Sequence, residues 1–352
     1  MSALPIQIVP TFPPTPGGVG DYACRVEREG AFHSETRWRF VTAERARAAA
    51  EGPASEGVTR LAERTPEALL EALEPAADGA APTVVLHCSG YGYAANGAPA
   101  WLLDGMERFL ARHRAARFGV VFHELYATSP PWRRAFWHSH AQRAVARGFA
   151  RLARRALCTT QTNRAIVHAW NPSLEIDLLA IASNMGEPEE VRPWAERAPR
   201  LLVFGLAGTR ARLYRDRALL RQVCETLGIE QVEDVGPDAG ALPDLGRPLV
   251  RHGTIDITRF AALAAGCRYG ALHYTAGPLA KSGVFAAYCA HGLAPIVAAR
   301  PPVGDALAPG VHYAPAEALR AESAAGPIAA AARAWYQGHR ISMHARWLQS
   351  LC

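Results

Sequence analysis

Short apolar runs alternate with stretches of helical periodicity along nearly the whole chain. In the first half the runs fall at 6–9, 83–87, 119–122, 156–158 and 176–179, and the helical patterns at 20–30, 66–74, 100–113, 132–154 and 161–169. A Pro- and Glu-rich stretch at 183–199 interrupts the pattern and reads as a linker. The alternation then restarts: strands at 201–204, 231–233, 271–274 and 294–297, helices at 214–227, 256–265 and 282–291, and a helical tail over 316–350. Strands alternating with helices predict an α/β protein with parallel sheets. The restart predicts a second doubly wound domain.

Length agrees with two domains, because 352 residues exceed what one compact core holds. The expected division is 1–182, 183–325 and a helical tail, 326–352, packing back toward the first domain. Hydrophobic residues make up 49% of the chain and charged residues 20%, the balance of a soluble globular protein. No apolar stretch approaches the roughly 20 residues that span a bilayer, and the N-terminus carries no signal-peptide pattern. The seven cysteines are scattered and sit mostly in apolar runs, so they read as reduced core thiols of a cytoplasmic protein.

In doubly wound domains ligands collect outside the carboxyl ends of the strands, and candidate residues gather there. Gly17, Gly18 and Gly20 follow the first strand and run into a helix, where backbone N–H groups favour an anion. Ser89, Tyr91 and Tyr93 follow the second run, and His123 and Glu124 follow the third. After the linker, Arg210 and Arg215 stand among four arginines just beyond a strand, and arginine grips phosphate bidentately. The net charge of +6 is carried by 38 basic residues of which 37 are arginine; the one lysine is Lys281. It precedes Ser282 and Gly283 at a helix start, a natural phosphate site. His138 and His140 lie two apart on a helix and do not face one another, so they read as structural.

GGVGDYA near the start, FHELYATSPPW in the middle, IASNMGEP at the linker and KSGVFAAYCAHGLAPIV near the end resemble glycosyltransferases of the GT-B fold. They are most similar to the retaining family 4 branch of bacterial polysaccharide glycosyltransferases. The resemblance covers roughly 5–300. It implies two Rossmann-like domains facing a central cleft, with a nucleotide sugar held mainly by the second domain and a glycan or lipid-linked acceptor mainly by the first.

The resemblance further implies that the 17–20 loop lies near the donor phosphates. It places His123 near the transferred sugar, Arg210 as one cation on the diphosphate and Lys281 as a further one. Asn184 would lie by the cleft, and Tyr274 and Thr275 could supply hydroxyl contacts. One departure stands out. The family carries two glutamates with seven residues between them around the strand-to-helix turn, and here those positions hold Leu279 and Ala287. A non-catalytic GT-B protein that binds a glycan or scaffolds a polysaccharide pathway is therefore the alternative reading. The donor is a substrate, so no cofactor is expected. No Asp-x-Asp motif appears, in keeping with metal-independent transfer.

No basic stretch is interleaved with aromatic residues as single-strand binding requires, so no nucleic-acid partner is expected. For the arginine-rich helix with Arg143, Arg147, Arg151, Arg154 and Arg155, two readings stay open. One is a solvated surface, the other a peripheral contact with the inner membrane face.

Overall fold

The structure, a computed structural model, describes residues 4–15, 17–44, 57–74, 81–274, 278–298, 306–319 and 325–352. The chain divides into two units, Met1–Leu179 with Ile341–Cys352, and Ala180–Arg340. The first unit runs β1 (Ile6–Val9), α1 (Gly18–His33), β2 (Arg39–Thr42), β3 (Val58–Arg60), α2 (Pro66–Leu73), β4 (Thr83–Cys88), α3 (Gly90–Tyr93), α4 (Ala100–Arg112), β5 (Arg117–Phe122), α5 (Arg134–Leu152), β6 (Arg155–Cys158), α6 (Gln161–Trp170) and β7 (Glu175–Leu178). Its seven strands form one parallel sheet, ordered β3-β2-β1-β4-β5-β6-β7. The order reverses between β1 and β4, which makes that pair the switch point.

The second unit repeats the plan with β8 (Ala198–Phe204), α7 (Ala207–Arg215), α8 (Arg217–Thr226), β9 (Gln231–Val235), β10 (Leu249–Gly253), α9 (Ile257–Gly266), β11 (Cys267–Leu272), α10 (Gly283–Ala290), β12 (Ala294–Val297), β13 (Ala314–Pro315) and α11 (Ala325–Gln337). The parallel order is β10-β9-β8-β11-β12-β13, with the switch between β8 and β11. The last helix, α12 (Ile341–Gln349), belongs to the first unit and packs on α1. There Gln349 Nε2 donates to Gly30 O at 2.7 Å, and Trp347 Nε1 donates to Asp177 Oδ2 at 3.0 Å. The expected tail, 326–352, is thus shared between the units.

The strands are apolar because each central one is buried on both faces: Ile6, Ile8 and Val9 in β1, Val84–Leu86 of β4, and Leu201–Val203 of β8 are all at most 1% exposed. Four strands escaped the pattern, among them β13 with only two residues. β3 and β10 are edge strands with half-buried or exposed residues throughout, and β2 is short and opens on an arginine. Their pairing comes from a neighbour's backbone, which leaves no periodic mark.

A buried tyrosine ties each switch point together. Tyr93 Oη lies 3.0 Å from Ile8 O and 3.1 Å from His87 O, joining β1 to β4. Tyr288 Oη accepts from Phe204 N at 3.0 Å and lies within 3.1 Å of the carbonyls of Leu202 and Ala271, joining β8 to β11. Burial pushes both phenols above their ordinary range, so each keeps the proton it shares with the carbonyls.

Candidate functional site

In the second unit the carboxyl ends of β8, β9, β10 and β11 and the start of α10 enclose a cavity of about 470 Å³. That volume suits a nucleotide-sized ligand. Its apolar wall includes Met185, Phe204, Leu206, Ile255 and Val284; its polar wall includes Asn184, Thr209, Thr254, His273, Tyr274, Lys281 and Ser282. No aspartate or glutamate is among the lining residues. Lys281 is half-buried there and forms no ion pair among the described residues. Next to it Ser282 caps α10, its Oγ accepting from Phe285 N at 3.2 Å. The helical pattern gives the N–H groups of Gly283 and Val284 no intrahelical partner, and both residues line the cavity. The Nδ1 atom of His273, on the same wall, is buried and has no hydrogen-bond partner among the described residues.

Arg210 lies behind two turns that line this cavity. Its Nη1 donates to Asp234 Oδ1 at 2.5 Å, its Nε to Gly205 O at 2.9 Å and its Nη2 to Pro237 O. Tyr214 Oη donates to the other Asp234 oxygen at 2.6 Å. Arg210 and Asp234 are both at most 1% exposed, and Arg210 is absent from the cavity wall. The expectation that Arg210 grips a phosphate is corrected here: its fork is spent on a buried carboxylate and on two loop carbonyls. It shapes the site by holding the Gly205 and Pro237 turns, both of which line it. Gly236 between them has φ of +140°, and a Cβ there would lie 2.2 Å from Gly205 O. Only glycine fits that approach. Arg215, in the last turn of α7, is exposed and also lies away from the cavity.

In the first unit, α1 starts at the glycine loop. A Cβ on Gly17 would overlap Thr11 Oγ1 and one on Gly20 would come within 2.2 Å of Thr11 O, whereas Gly18 faces open space. Two of the three glycines therefore seat the 11–12 backbone against the helix. Behind the loop lies a buried chain of polar groups. Gln7 Oε1 is 2.8 Å from His87 Nε2, and His87 Nδ1 is 3.2 Å from His123 Nε2. If Gln7 accepts, His87 carries its proton on Nε2 and accepts at Nδ1 from His123. Tyr22 packs edge-on against both imidazoles, and its hydroxyl meets Nδ1 of buried His344 at 2.6 Å. Burial, reinforced by the neighbouring His123, holds His87 well below the usual histidine range, so it is neutral. Glu124, next to His123, is exposed.

The segment after β4 forms the single turn α3, with Ser89 at its start. Tyr93 is 1% exposed and spent on the switch-point carbonyls, which corrects its expected place on a ligand pocket. Tyr91 is exposed, with its hydroxyl accepting from Gln142 Nε2 at 3.0 Å, and Ser89 is half-buried with no capping bond. Asn184, Tyr274, Lys281, Ser282 and Gly283, expected as binding residues, do come together around the cavity. Thr275 lies outside the described residues.

No protein-family model and no curated protein matches the chain by sequence. Solved structures match over its full length. The apo lipopolysaccharide outer core galactosyltransferase WaaB superposes with a TM-score of 0.59 at 11% identity, covering 99% of both chains. Anabaena HepE in complex with UDP-glucose gives 0.57 at 13% identity over 99% of this chain and 100% of its own. An α-glucosyltransferase in complex with UDP and a 13-mer DNA gives 0.54 at 9% identity, covering 99% and 98%. This is the GT-B fold.

The sequence resemblance places two glutamates where this chain has Leu279 and Ala287. Here Leu279 is 2% exposed and Ala287 fully buried, packed with Phe285 and Tyr288 in the core beneath α10. Sequence reading did not single out Gln7, His87, Tyr22, His273 or His344. Gln7 and His87 did leave a signal, each a polar residue inside an otherwise apolar strand. His344 left none, since its partner Tyr22 is 322 residues away.

Proposed function

We propose that this chain is a glycosyltransferase that moves a sugar from a nucleoside-diphosphate sugar to a glycan or lipid-linked acceptor. It would act without a metal and with retention of configuration, as in the retaining family 4 branch. The observation that carries the reading is Lys281: a half-buried ammonium beside the N-terminus of α10, with no ion pair and no carboxylate on the cavity wall among the described residues. Breaking the bond between the sugar and its diphosphate leaves negative charge on the departing oxygens. A fixed cation and N–H dipoles aimed at that charge lower the barrier. Lys281 and the amides of Gly283 and Val284 fill this role, while Met185, Phe204, Leu206 and Ile255 give the base an apolar wall. A divalent ion would find no hard anionic ligand on this wall, which supports charge neutralisation by the protein alone.

In the same reading Asn184, Tyr274 and Ser282 contact the donor. His123, kept in one tautomer by His87, serves the transferred sugar, and Glu124, Ser89 and Tyr91 serve the acceptor. Arg210 acts as a positioning residue. Calorimetric titration with UDP, UDP-glucose and other nucleotide sugars tests the proposal. Binding of at least one is expected, weakened about tenfold or more in Lys281→Ala, in line with loss of a charge-assisted contact, and only partly restored in Lys281→Arg. Unchanged affinity in Lys281→Ala would remove the lysine from the mechanism.

One observation favours a second reading, a GT-B protein that binds but does not transfer. Buried Leu279 and Ala287 leave no carboxylate for a ribose or a donor sugar. Absence of heat with every nucleotide tested would decide for it.

A further inference from the structure

The positive charge of this chain is concentrated. Between Glu124 and Glu175 there is no acidic residue, and eight arginines fall in that segment, more than the net +6 of the whole chain. Arg155 is spent on Glu175 and Asp177 at 3.1 and 2.9 Å, and Arg143 lies over the ring of Tyr126. Arg133, Arg134, Arg147, Arg151 and Arg154 are exposed and have no ion pair among the described residues.

Folding adds aromatic rings to this surface. Trp132 is 81% and Trp137 73% exposed, and Phe136 stands edge-on to Trp137 with ring centroids 5.5 Å apart. On α5, Gln142, Val145, Ala146, Phe149 and Ala150 form the buried face. At 3.6 residues per turn, Phe136, Trp137, Arg147 and Arg151 share the opposite one. That face is held in place. Gln142 Oε1 accepts from Ala127 N at 2.8 Å, and its Nε2 donates to Asn96 O at 2.8 Å and Tyr91 Oη at 3.0 Å.

Indole rings left in water beside unpaired guanidinium groups match one environment closely. At the headgroup level of an anionic bilayer the rings enter the apolar boundary and the arginines meet phosphate. We propose that the outer face of α5, with Trp132 at its N-terminal end, docks on an anionic lipid bilayer. Nucleic acid shares the charge but suits the surface less. The rings gather at one end of a helix of 19 residues, on the face opposite its buried one. Stacking on successive bases needs aromatics interleaved with cations along a groove. Trp132 also ends the loop that leaves β5 at His123, so docking sets the lipid beside the carboxyl ends of the first sheet. The proposal stands on this surface alone and does not need the transferase reading.

Sedimentation of the full chain with vesicles tests it, using phosphatidylcholine alone and phosphatidylcholine mixed with phosphatidylglycerol. Binding to the mixed vesicles only is expected, with a shift of tryptophan emission to shorter wavelength. Arg147→Glu with Arg151→Glu should lower the partition coefficient by well over tenfold, at about fivefold for each arginine removed. Trp132→Ala with Trp137→Ala should abolish the emission shift. Both double variants change exposed side chains, so their circular dichroism and their nucleotide titrations should match the parent. That separates failure here from failure of the donor site. Equal binding to both vesicle types, binding unaltered in the two variants, or no vesicle binding alongside tight binding of a DNA oligonucleotide would each overturn the proposal. So would no binding to either.

Discussion

Arg210 and Lys281 began as two cations near strand ends and finished in opposite surroundings, one against a buried carboxylate and one on the cavity wall. The sequence placed Arg210 in a cluster of arginines but could not show Asp234, 24 residues on, waiting in the core. A guanidinium that meets a buried carboxylate first has little left for a ligand. Removing one member of such a pair leaves the other charged and unpaired, so Arg210→Met should cost about 3–5 kcal/mol of stability. Urea unfolding measures it, and a loss under about 1 kcal/mol would contradict the buried pair. Lys281 stayed legible because it is the single lysine and precedes a capped helix. What the fold contributes is that no carboxylate partner meets it among the described residues.

At the scale of elements, the glycine loop shows how far a motif can be read. Three glycines before a helix looked like one device, yet they split by what lies against them. Gly18 faces open space inside the first turn of α1, so Gly18→Ala should stabilise by roughly 0.5–1 kcal/mol through the lower helical cost of alanine. Gly20→Ala would push a methyl to 2.2 Å from Thr11 O and should destabilise by roughly 1–3 kcal/mol. Thermal unfolding of the two variants should give shifts of opposite sign, and shifts of the same sign would refute this packing of the 11–12 backbone. Helices α2, α4, α5 and α6 were legible because each needs its own apolar stripe. The edge strands β3 and β10 were not, since an edge strand borrows its stability from the strand beside it.

For the molecule as a whole, buried histidines set an acid limit. His87 in the first unit and His291 in the second are both lowered from the ordinary value of 6.5, chiefly by burial. Each is neutral when folded, so the unfolded chain takes up protons first as pH falls. Stability is therefore full above pH 6.5 and declines from there down to each folded pKa, by about 1.4 kcal/mol per group per pH unit. Calorimetry from about pH 7.5 to about 5.5 should show the melting temperature falling on the acid side. A melting temperature that is flat across that range would sink the assignment of buried neutral imidazoles.

The sequence by itself determined the α/β class, the restart into a second doubly wound unit, the central strands and the helix with Lys281 at its head. These follow from local patterns, since a strand buried on two faces or a helix buried on one must carry its apolar residues in register with its own geometry. Tertiary structure alone decided that Arg210 faces Asp234 and not the cavity, and that Tyr93 and Tyr288 close the switch points. It also joined Gln7, His87 and His123 in one chain and set Trp132 and Trp137 beside arginines that have no ion pair among the described residues. Each of these depends on which distant segment arrives opposite a side chain. A polar group's role is fixed by the partner it meets, and no local pattern encodes that partner.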